Sequence, residues 1–463
     1  MISYFSIVRL TIKTIIRTKF LKIILFLILI SSILFPIYLN GDGTLASEIQ
    51  VSIEYSLLSV SIILTLSSVW IACLIMNFDI IGYQLHMISV KPIRRSTVWL
   101  GKYTGIVIIY AILLLISSLI IFFIISQKTN GTAYPENIIH NVNENIFSGR
   151  KSYYPHLTNI KKEYNDELKK QEQITLEKNE KPTPFELRKI KRDILYSIIS
   201  QKGRVSANSE KIFTFKNISN ISSGNIILQY RPFINAIETI SRQKNRVSRG
   251  IWYVKQYTQN GNSEFLKLNN NEKLVSNRLY KINLPLKNYI SSKNTITLKF
   301  KNLDATQPIF FMLVNSPELK IKYTGFLSNF FRCFLVSFIG LILIIAISCS
   351  IGGIFSFPIA IFCIVAYLMF GSIGSFILSD SPEDNPNMTI ETKIGYNLSN
   401  VILKGITPIQ KFQLYDYLSH GKLIEYRIIK NIILRYVLIQ LLVFMALGIY
   451  IYSKKELGSI IKK

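Results

Sequence analysis

Six long apolar runs constrain the fold of this chain more than any other feature of its sequence. They occupy residues 23–39, 57–78, 103–126, 330–350, 354–378 and 432–452. Each is close to the ~20 residues that a helix needs to cross the hydrocarbon core of a bilayer. Helices satisfy all of their own backbone polar groups in lipid. We therefore predict an α-helical polytopic membrane protein with six transmembrane helices.

The charges between the apolar runs predict the orientation. Short loops rich in Lys and Arg stay on the cytoplasmic side of a membrane. Segment 1–22 places Arg9, Lys13 and Arg17 at spacings of four, which predicts a basic amphipathic helix on the inner membrane face. Loop 40–55 is acidic and contains no Lys or Arg, which predicts an outside location. With six crossings, we expect both termini in the cytoplasm of a bacterium, and the chain in its cytoplasmic (inner) membrane.

A basic segment, residues 79–102, separates the second and third apolar runs. We call it the elbow, and its charges are Asp79, Lys91, Arg94, Arg95 and Lys102, with Pro92 between them. We predict a short interfacial helix, a turn enforced by proline and a re-entry into the membrane at Gly101. Charge alone leaves two interpretations open. The elbow is a topology anchor, or it docks a cytoplasmic partner.

The region 127–325 is polar and predicts an extracytoplasmic α+β insertion between helices 3 and 4, a helical stalk plus a small β-sandwich. Residues 156–202 have helical character, broken by Lys-Pro-Thr-Pro at 181–184. Short β-branched and aromatic runs predict antiparallel strands at 211–215, 226–230, 250–257, 281–284, 295–300 and 309–314. The insertion contains no cysteine, so its own packing must stabilise it.

Composition and motifs exclude several classes of function. The net charge of +27 is scattered along the chain, so we expect no nucleic-acid partner. The four cysteines form no CxxC pair, and the four histidines have no metal-ligand spacing, so we expect no metal site. There is no P-loop and no G-x-S-x-G elbow. We therefore expect no enzyme activity on this chain, and no catalytic residues or cofactors.

The stretch SVKPIRRSTVWLGKYTGIVI resembles the cytoplasmic loop of ABC-2-type transporter permeases, the membrane subunits of ABC exporters. Those permeases carry K-P-[IV]-x-R followed by G-K at the next membrane helix. The positions that match are Lys91, Pro92, Ile93, Arg94 or Arg95, Gly101 and Lys102. The resemblance implies that these residues couple the chain to a separate ABC ATPase subunit, which binds the ATP and Mg. It also implies a second permease copy as a partner.

Further stretches resemble the subgroup of these permeases that has a large extracytoplasmic insertion. They include GDGTLASEIQVSIEYSLL, WIACLIMNFDI and YTGFLSNFFRCFLVSFIGL. The expected organisation is then 1–126, with helices 1–3 and the elbow, the insertion 127–325, and 326–463, with helices 4–6 and an interfacial segment 391–412. The alternative function is a membrane-anchored extracytoplasmic sensor or scaffold without transport activity. The apolar helices suit lipids, peptides and hydrophobic drugs equally as substrates.

Overall fold

The computed structural model describes residues 2–39, 41–81, 94–130, 135–157, 159–177, 184–218, 226–234, 247–257, 263–268, 273–284, 294–377 and 409–454. The chain divides into two compact units. The helical unit holds the described residues up to Gly149 and from Gly325 onward. The second unit, Arg150–Thr324, is rich in β-sheet.

The described residues form eleven helices. In the helical unit they are α1 (Ile2–Arg17), α2 (Lys19–Tyr38), α3 (Leu45–Ile81), α4 (Arg95–Asn130), α5 (Glu136–Asn145), α8 (Phe326–Ile354), α9 (Phe357–Ile377), α10 (Tyr415–Ser419) and α11 (Tyr426–Lys454). In the second unit they are α6 (Ile160–Glu177) and α7 (Pro184–Gly203). A 3-10 turn, Ile409–Phe412, precedes α10, and Ile433–Leu441 within α11 has π-helical hydrogen bonding.

Among the described residues, five helices are long and apolar enough to cross a membrane: Lys19–Tyr38, Leu45–Phe78, Arg95–Lys128, Phe326–Ile354 and Tyr426–Lys454. These correspond to five of the six predicted spans. The fifth predicted span corresponds to α9, of which Phe357–Ser372 counts as a shorter apolar helix. The six-span topology therefore stays a prediction, whereas the membrane-protein character agrees with the five helices.

Local chemistry explains where several helices begin and end. Thr18 separates α1 from α2, because its side chain accepts a hydrogen bond from the Leu21 N–H and caps α2. Only Phe355 and Ser356 separate α8 from α9, whereas the gap between the two apolar runs, 351–353, lies inside α8. Residues 82–93 of the elbow, where the interfacial helix and the proline turn were predicted, lie outside the described residues, and the described end differs from its prediction. Helix α4 begins at Arg95 instead of Gly101. The interfacial prediction for 391–408 lies outside the described residues.

Side-chain contacts show which helix ends lie together in the helical unit. The Tyr4 hydroxyl lies 3.0 Å from Thr104 Oγ1, which brings α1 beside the first turns of α4. Arg95 Nη1 donates to the Ser453 carbonyl at 3.2 Å, which brings the end of α11 to the same place. We call this the elbow end of the helical unit.

The opposite end of the helical unit is more acidic. Lys128, near the end of α4, donates from Nζ to the Pro36 carbonyl at 3.4 Å and lies 3.9 Å from a Glu48 carboxylate oxygen. The end of α2 and the start of α3 therefore meet the end of α4. We call this the acidic end. Helix α4 runs from one end of the unit to the other.

In the second unit, the described residues form three sheets built from twelve strands. The first has the order β1 (Ser148–Tyr153), β12 (Glu318–Gly325), β4 (Ile226–Tyr230), β9 (Tyr280–Leu284). The second has the order β3 (Glu210–Phe215), β10 (Ile296–Asn302), β6 (Val247–Tyr257), β7 (Ser263–Lys267), with β8 (Lys273–Val275) also on β6. The third is β2 (Arg204–Val205), β11 (Ile309–Phe311), β5 (Pro232–Ile234).

All six predicted strands are present, and Pro184 begins α7 as its fixed φ favours. The observed architecture is more than the predicted two-sheet sandwich. It also contains a third small sheet and the strands β1 and β12. An aromatic core joins the sheets. Trp252 of β6 is fully buried, and its ring centroid lies 5.3 Å from Tyr230 of β4 and 5.5 Å from Phe311 of β11.

The outer face of β3 and β10 carries an ion-paired group. Glu210 accepts hydrogen bonds from Lys299 at 2.9 Å and from Lys301 at 3.2 Å. The bond from Lys299, and then that from Lys301, hold the pKa of the Glu210 carboxyl below its usual value. A carboxyl group whose pKa is lower in the folded state than in the unfolded state stabilises the fold at pH values above its unfolded-state pKa. This contribution is lost as the pH falls through the folded pKa.

The boundary of the β-rich unit differs from the predicted position at 127. Helix α4 continues to Asn130, and α5 packs on the helical unit through Ile139, Val142 and Ile146. The compact β-rich unit therefore starts at Arg150. The polar character of 127–149 reflects the exposed side of α5 and not a second domain.

A fragment spanning Arg150–Thr324 is expected to fold cooperatively without the helical unit. It keeps α6 and α7, β1 without Ser148 and Gly149, and β12 without Gly325. Its sequence contains no cysteine. Circular dichroism should show sheet and helix with a sigmoidal melt that reductant does not change. The shorter fragment 205–320 cuts through β12 and should melt at a lower temperature. A melt that depends on reductant would contradict the expectation.

Candidate functional site

The predicted ATPase-coupling residues lie at or next to the elbow end. Lys91, Pro92 and Ile93 lie outside the described residues. Arg94 is exposed, and Arg95 is half-buried in the first turn of α4. Because α4 begins at Arg95, no flexible linker separates this basic pair from the 36-residue helix. The pair therefore lies directly at the start of a long helix.

Gly101 and Gly105 form a notch in α4 that receives α1. A β-carbon added at Gly101 would lie 2.7 Å from Cγ2 of Ile7, and one at Gly105 would lie 2.9 Å from Cβ of Thr11. Both distances are shorter than normal carbon–carbon contact, so no larger residue fits without displacing α1. Small residues four apart let membrane helices approach closely. Gly101 therefore serves the packing of α1 on α4.

Lys102 lies inside the helical unit. Its side chain is buried, with 6% relative exposure, and its Nζ donates to the Ile75 carbonyl of α3 at 3.0 Å. Two residues further along α3, Asn77 donates to the Gly352 carbonyl of α8 at 2.9 Å. A buried lysine at membrane depth is costly unless carbonyl groups or other partners receive it. These bonds link α4 to α3 and α3 to α8 at the elbow end.

The predicted coupling set therefore separates into two groups. Arg94 and Arg95 are accessible to a partner. Gly101 packs against α1, and Lys102 donates to α3. These residues contribute through their position and not through a reactive group. It contains a basic surface and, directly behind it, the packing that connects this surface to three other helices. The role of these residues in ATPase coupling stays a prediction.

A cavity of about 340 Å³ lies between α3, α9 and the 3-10 turn. Its wall is mostly apolar, and its polar groups are Thr65, Ser372 and Gln413. Three lining residues, Ile62, Leu66 and Met369, are also exposed on the surface of the helical unit. This volume falls in the range of small-molecule pockets, and such pockets are mostly apolar with a few polar groups.

A polar lock holds the segment before α11 against α8. Asn329 donates from Nδ2 to the Lys422 carbonyl at 2.8 Å and accepts from the Ile424 N–H at 2.9 Å. Arg332 donates to the Ile424 carbonyl at 2.9 Å, and its guanidinium lies 4.0 Å from the ring centroid of Tyr426. Arg332 is buried and does not extend to water. Backbone carbonyl and aromatic groups receive its charge instead.

A second group of polar side chains lies near the lock. One ligand atom each from Glu54 of α3, Asp416 of α10 and His420 lies within 4.8 Å of the others. The Ser419 hydroxyl lies 3.3 Å from Glu54 Oε2, and His420 Nδ1 lies 3.0 Å from Asp416 Oδ1. Carboxylate and imidazole are metal-ligand types, so these three residues could hold a cation.

Sequence reasoning identified some of these features and missed others. The Gly-x-x-x-Gly spacing of residues 101 and 105 could have predicted the close packing of a helix on α4. The cavity and the Glu54 group had no such signal, because their members come from distant segments. Comparisons with protein-family models, curated proteins and solved structures find no match to this chain. They therefore add no support to the resemblance at the elbow, and function must be argued from the residues.

Proposed function

We propose that this chain is the permease subunit of an ATP-binding-cassette transporter of the ABC-2 type. In this proposal the helical unit forms the translocation path, a second copy completes it, and a separate ATPase chain supplies the energy. The chain itself has no P-loop in its sequence. Transport is in the export direction, and ATP and Mg bind to the partner.

The observation that carries the proposal is the continuity between the basic pair and the helix bundle. Arg94 and Arg95 begin α4 without a linker. Through its glycine notch α4 holds α1, and through Lys102 it holds α3. A movement imposed on the pair by an ATPase would therefore shift several membrane helices together.

The cavity beside α3 and α9 supports a hydrophobic substrate. Its apolar wall suits an acyl chain or another hydrophobic group, and Thr65, Ser372 and Gln413 offer hydrogen bonds to a polar part of the same molecule. Ile62, Leu66 and Met369 are exposed on the unit's surface, so a substrate could enter from the lipid. Lipids and hydrophobic drugs fit this description better than polar peptides.

A membrane-anchored sensor or scaffold remains the second candidate, and one observation favours it. The β-rich unit has an aromatic core of its own and is compact in its own right. A binding module would require this, and a permease would not. Such a module predicts no ATPase partner and no effect of the helical unit on any ATPase rate.

Purification of the full chain from its native membrane tests the proposal. We expect an ATPase polypeptide with a P-loop to copurify in mild detergent, and its hydrolysis rate to change when the permease is present. An ATPase partner is a consequence of the permease reading alone. Pure chain without any ATPase, from membranes that express it normally, would favour the sensor or scaffold.

Cysteine labelling tests the orientation on which the proposal depends. In a background without the four native cysteines, Ser47→Cys and Asn262→Cys are expected to react with an impermeant thiol reagent applied to intact cells. Ser96→Cys should react only after the cells are opened, because it lies one residue after Arg95 at the elbow end. Labelling of Ser96→Cys from outside would reverse the orientation.

A further inference from the structure

We propose that Glu54, Asp416 and His420 form a binding site for a divalent transition metal of the zinc class. This site is independent of the transport proposal. A bound ion would connect α10 to α3 within the helical unit. The sequence contains no ligand motif for it, since Glu54 and the 416–420 segment are far apart in the chain, with Ser419 365 positions from Glu54.

The geometry of the three donors is close to that of a zinc site. Zinc binds imidazole nitrogen and carboxylate oxygen at about 2.0–2.2 Å, so tetrahedral ligand atoms lie roughly 3.4 Å apart. Here the three ligand atoms lie within 4.8 Å of one another, and the His420–Asp416 pair is already at 3.0 Å. Side-chain movements that bring the three ligand atoms closer together would complete a three-ligand set. Water would take the fourth position.

The charges at this place favour a bound cation. Two carboxylates lie together, and like charges at close range are unfavourable without compensation. Lys422 Nζ lies 3.4 Å from Asp416 Oδ2 and compensates one of them in part. Within the described part of the chain no salt bridge reaches Glu54, whose carboxylate receives the Ser419 hydroxyl at 3.3 Å. A divalent ion would neutralise both carboxylates together.

The surrounding backbone holds the donors in place before any ion binds. Ser419, between the two donors of this segment, is fully buried. Gly421 follows with φ +63°, and a β-carbon there would collide with the Asn145 carbonyl of α5. The lock from Asn329 fixes Lys422 next to it. His420 and Asp416 are therefore presented to α3 by a packed turn and not by a loose loop.

The donor set also predicts which ions bind. A neutral imidazole with two carboxylates suits zinc and its neighbours among the transition metals, whereas calcium and magnesium prefer all-oxygen sets. Metal must compete with protons for the imidazole nitrogen. Lys422 competes with the ion for Asp416.

The test uses the full chain in detergent, loaded with zinc, desalted and analysed for metal content and thermal stability. We expect one zinc per chain and a rise in melting temperature, and neither with calcium. Glu54→Gln and His420→Gln should weaken zinc binding at least about tenfold, a loss typical even of outer-shell changes. Matched controls are Glu48→Gln, on the same helix, and His140→Gln, an exposed histidine of α5. Both should bind zinc normally.

A third variant keeps the test decisive if ligand variants misfold. Lys422→Gln removes the competing cation and should strengthen zinc binding. If the three residues form only a local ion-pair network, Lys422→Gln should lower the melting temperature and leave zinc binding unchanged. Wild-type chain without retained zinc, equal zinc in Glu54→Gln and wild type, or unchanged affinity in Lys422→Gln would each overturn the proposal.

Discussion

Reversing the charge of Arg94 and Arg95 together is expected to separate the chain from its proposed ATPase while leaving the helical unit folded. One exposed ion pair contributes only ~0.2–1 kcal/mol, so a single substitution can be silent. Arg94→Glu with Arg95→Glu removes two attractions and adds two repulsions against an acidic partner surface. A combined loss above ~1.4 kcal/mol corresponds to at least tenfold weaker association, measured by copurification and by the ATPase rate.

The double variant should still fold, because Arg94 is exposed and the half-buried Arg95 loses only its hydrogen bond to the Ser453 carbonyl among the contacts described. Orientation should also be kept, since Arg9 and Arg17 remain. Lys169→Glu with Lys170→Glu is the matched control, a pair of adjacent exposed lysines on α6 of the other unit. Full association and full transport in the Arg94 and Arg95 variant would leave the elbow as a topology anchor.

Trp252→Ala is expected to unfold most of the β-rich unit at moderate temperature. The Trp252 ring is fully buried among aromatic side chains, with centroids 4.9 Å from Phe300 and 5.6 Å from Phe213. Truncation of a buried tryptophan costs ~3–5 kcal/mol. A domain has only ~5–15 kcal/mol of stability in total. Urea denaturation of the Arg150–Thr324 fragment measures this loss.

The neighbouring residue provides the control for this measurement. Side chains alternate between the two faces of a strand, so Tyr253 points away from the face that Trp252 occupies. Tyr253 is half-buried and has Lys299 over its ring at 5.2 Å. Tyr253→Ala should therefore cost clearly less than Trp252→Ala. Equal losses for the two variants would contradict the burial of Trp252 in the core.

Local patterns predicted the elements of this fold better than their assembly. Six apolar runs predicted six membrane-length helices, and five such helices are present among the described residues, because length and hydropathy are local properties. Strand β4, Ile226–Tyr230, has the predicted bounds because four of its five residues are apolar or aromatic. Strand β1, Ser148–Tyr153, reads SGRKSY and has no such pattern. Its pairing with β12 supplies what its own sequence lacks, and only the assembled sheet reveals it.

Features that depend on distant segments could not be predicted. The extracytoplasmic insertion was predicted from 127 because polarity changes there, whereas the compact β-rich unit starts at Arg150 and α5 packs within the helical unit. At the candidate site, the resemblance identified Gly101 and Lys102 as a pair, but only the contacts with Ile7 and Ile75 give them their packing roles. Glu54 meets His420 through folding alone, so no spacing could indicate that group.

Cross-linking from the elbow tests the central claim most directly. A photoreactive amino acid would replace Arg94, which is exposed at the start of α4, and native membranes would be irradiated before solubilisation. The same amino acid at Lys169 gives the matched control. The proposed function predicts a cross-link from position 94 to an ATPase chain with a P-loop, identified by mass spectrometry, and none from position 169. Cross-links from position 94 to lipid alone would contradict it.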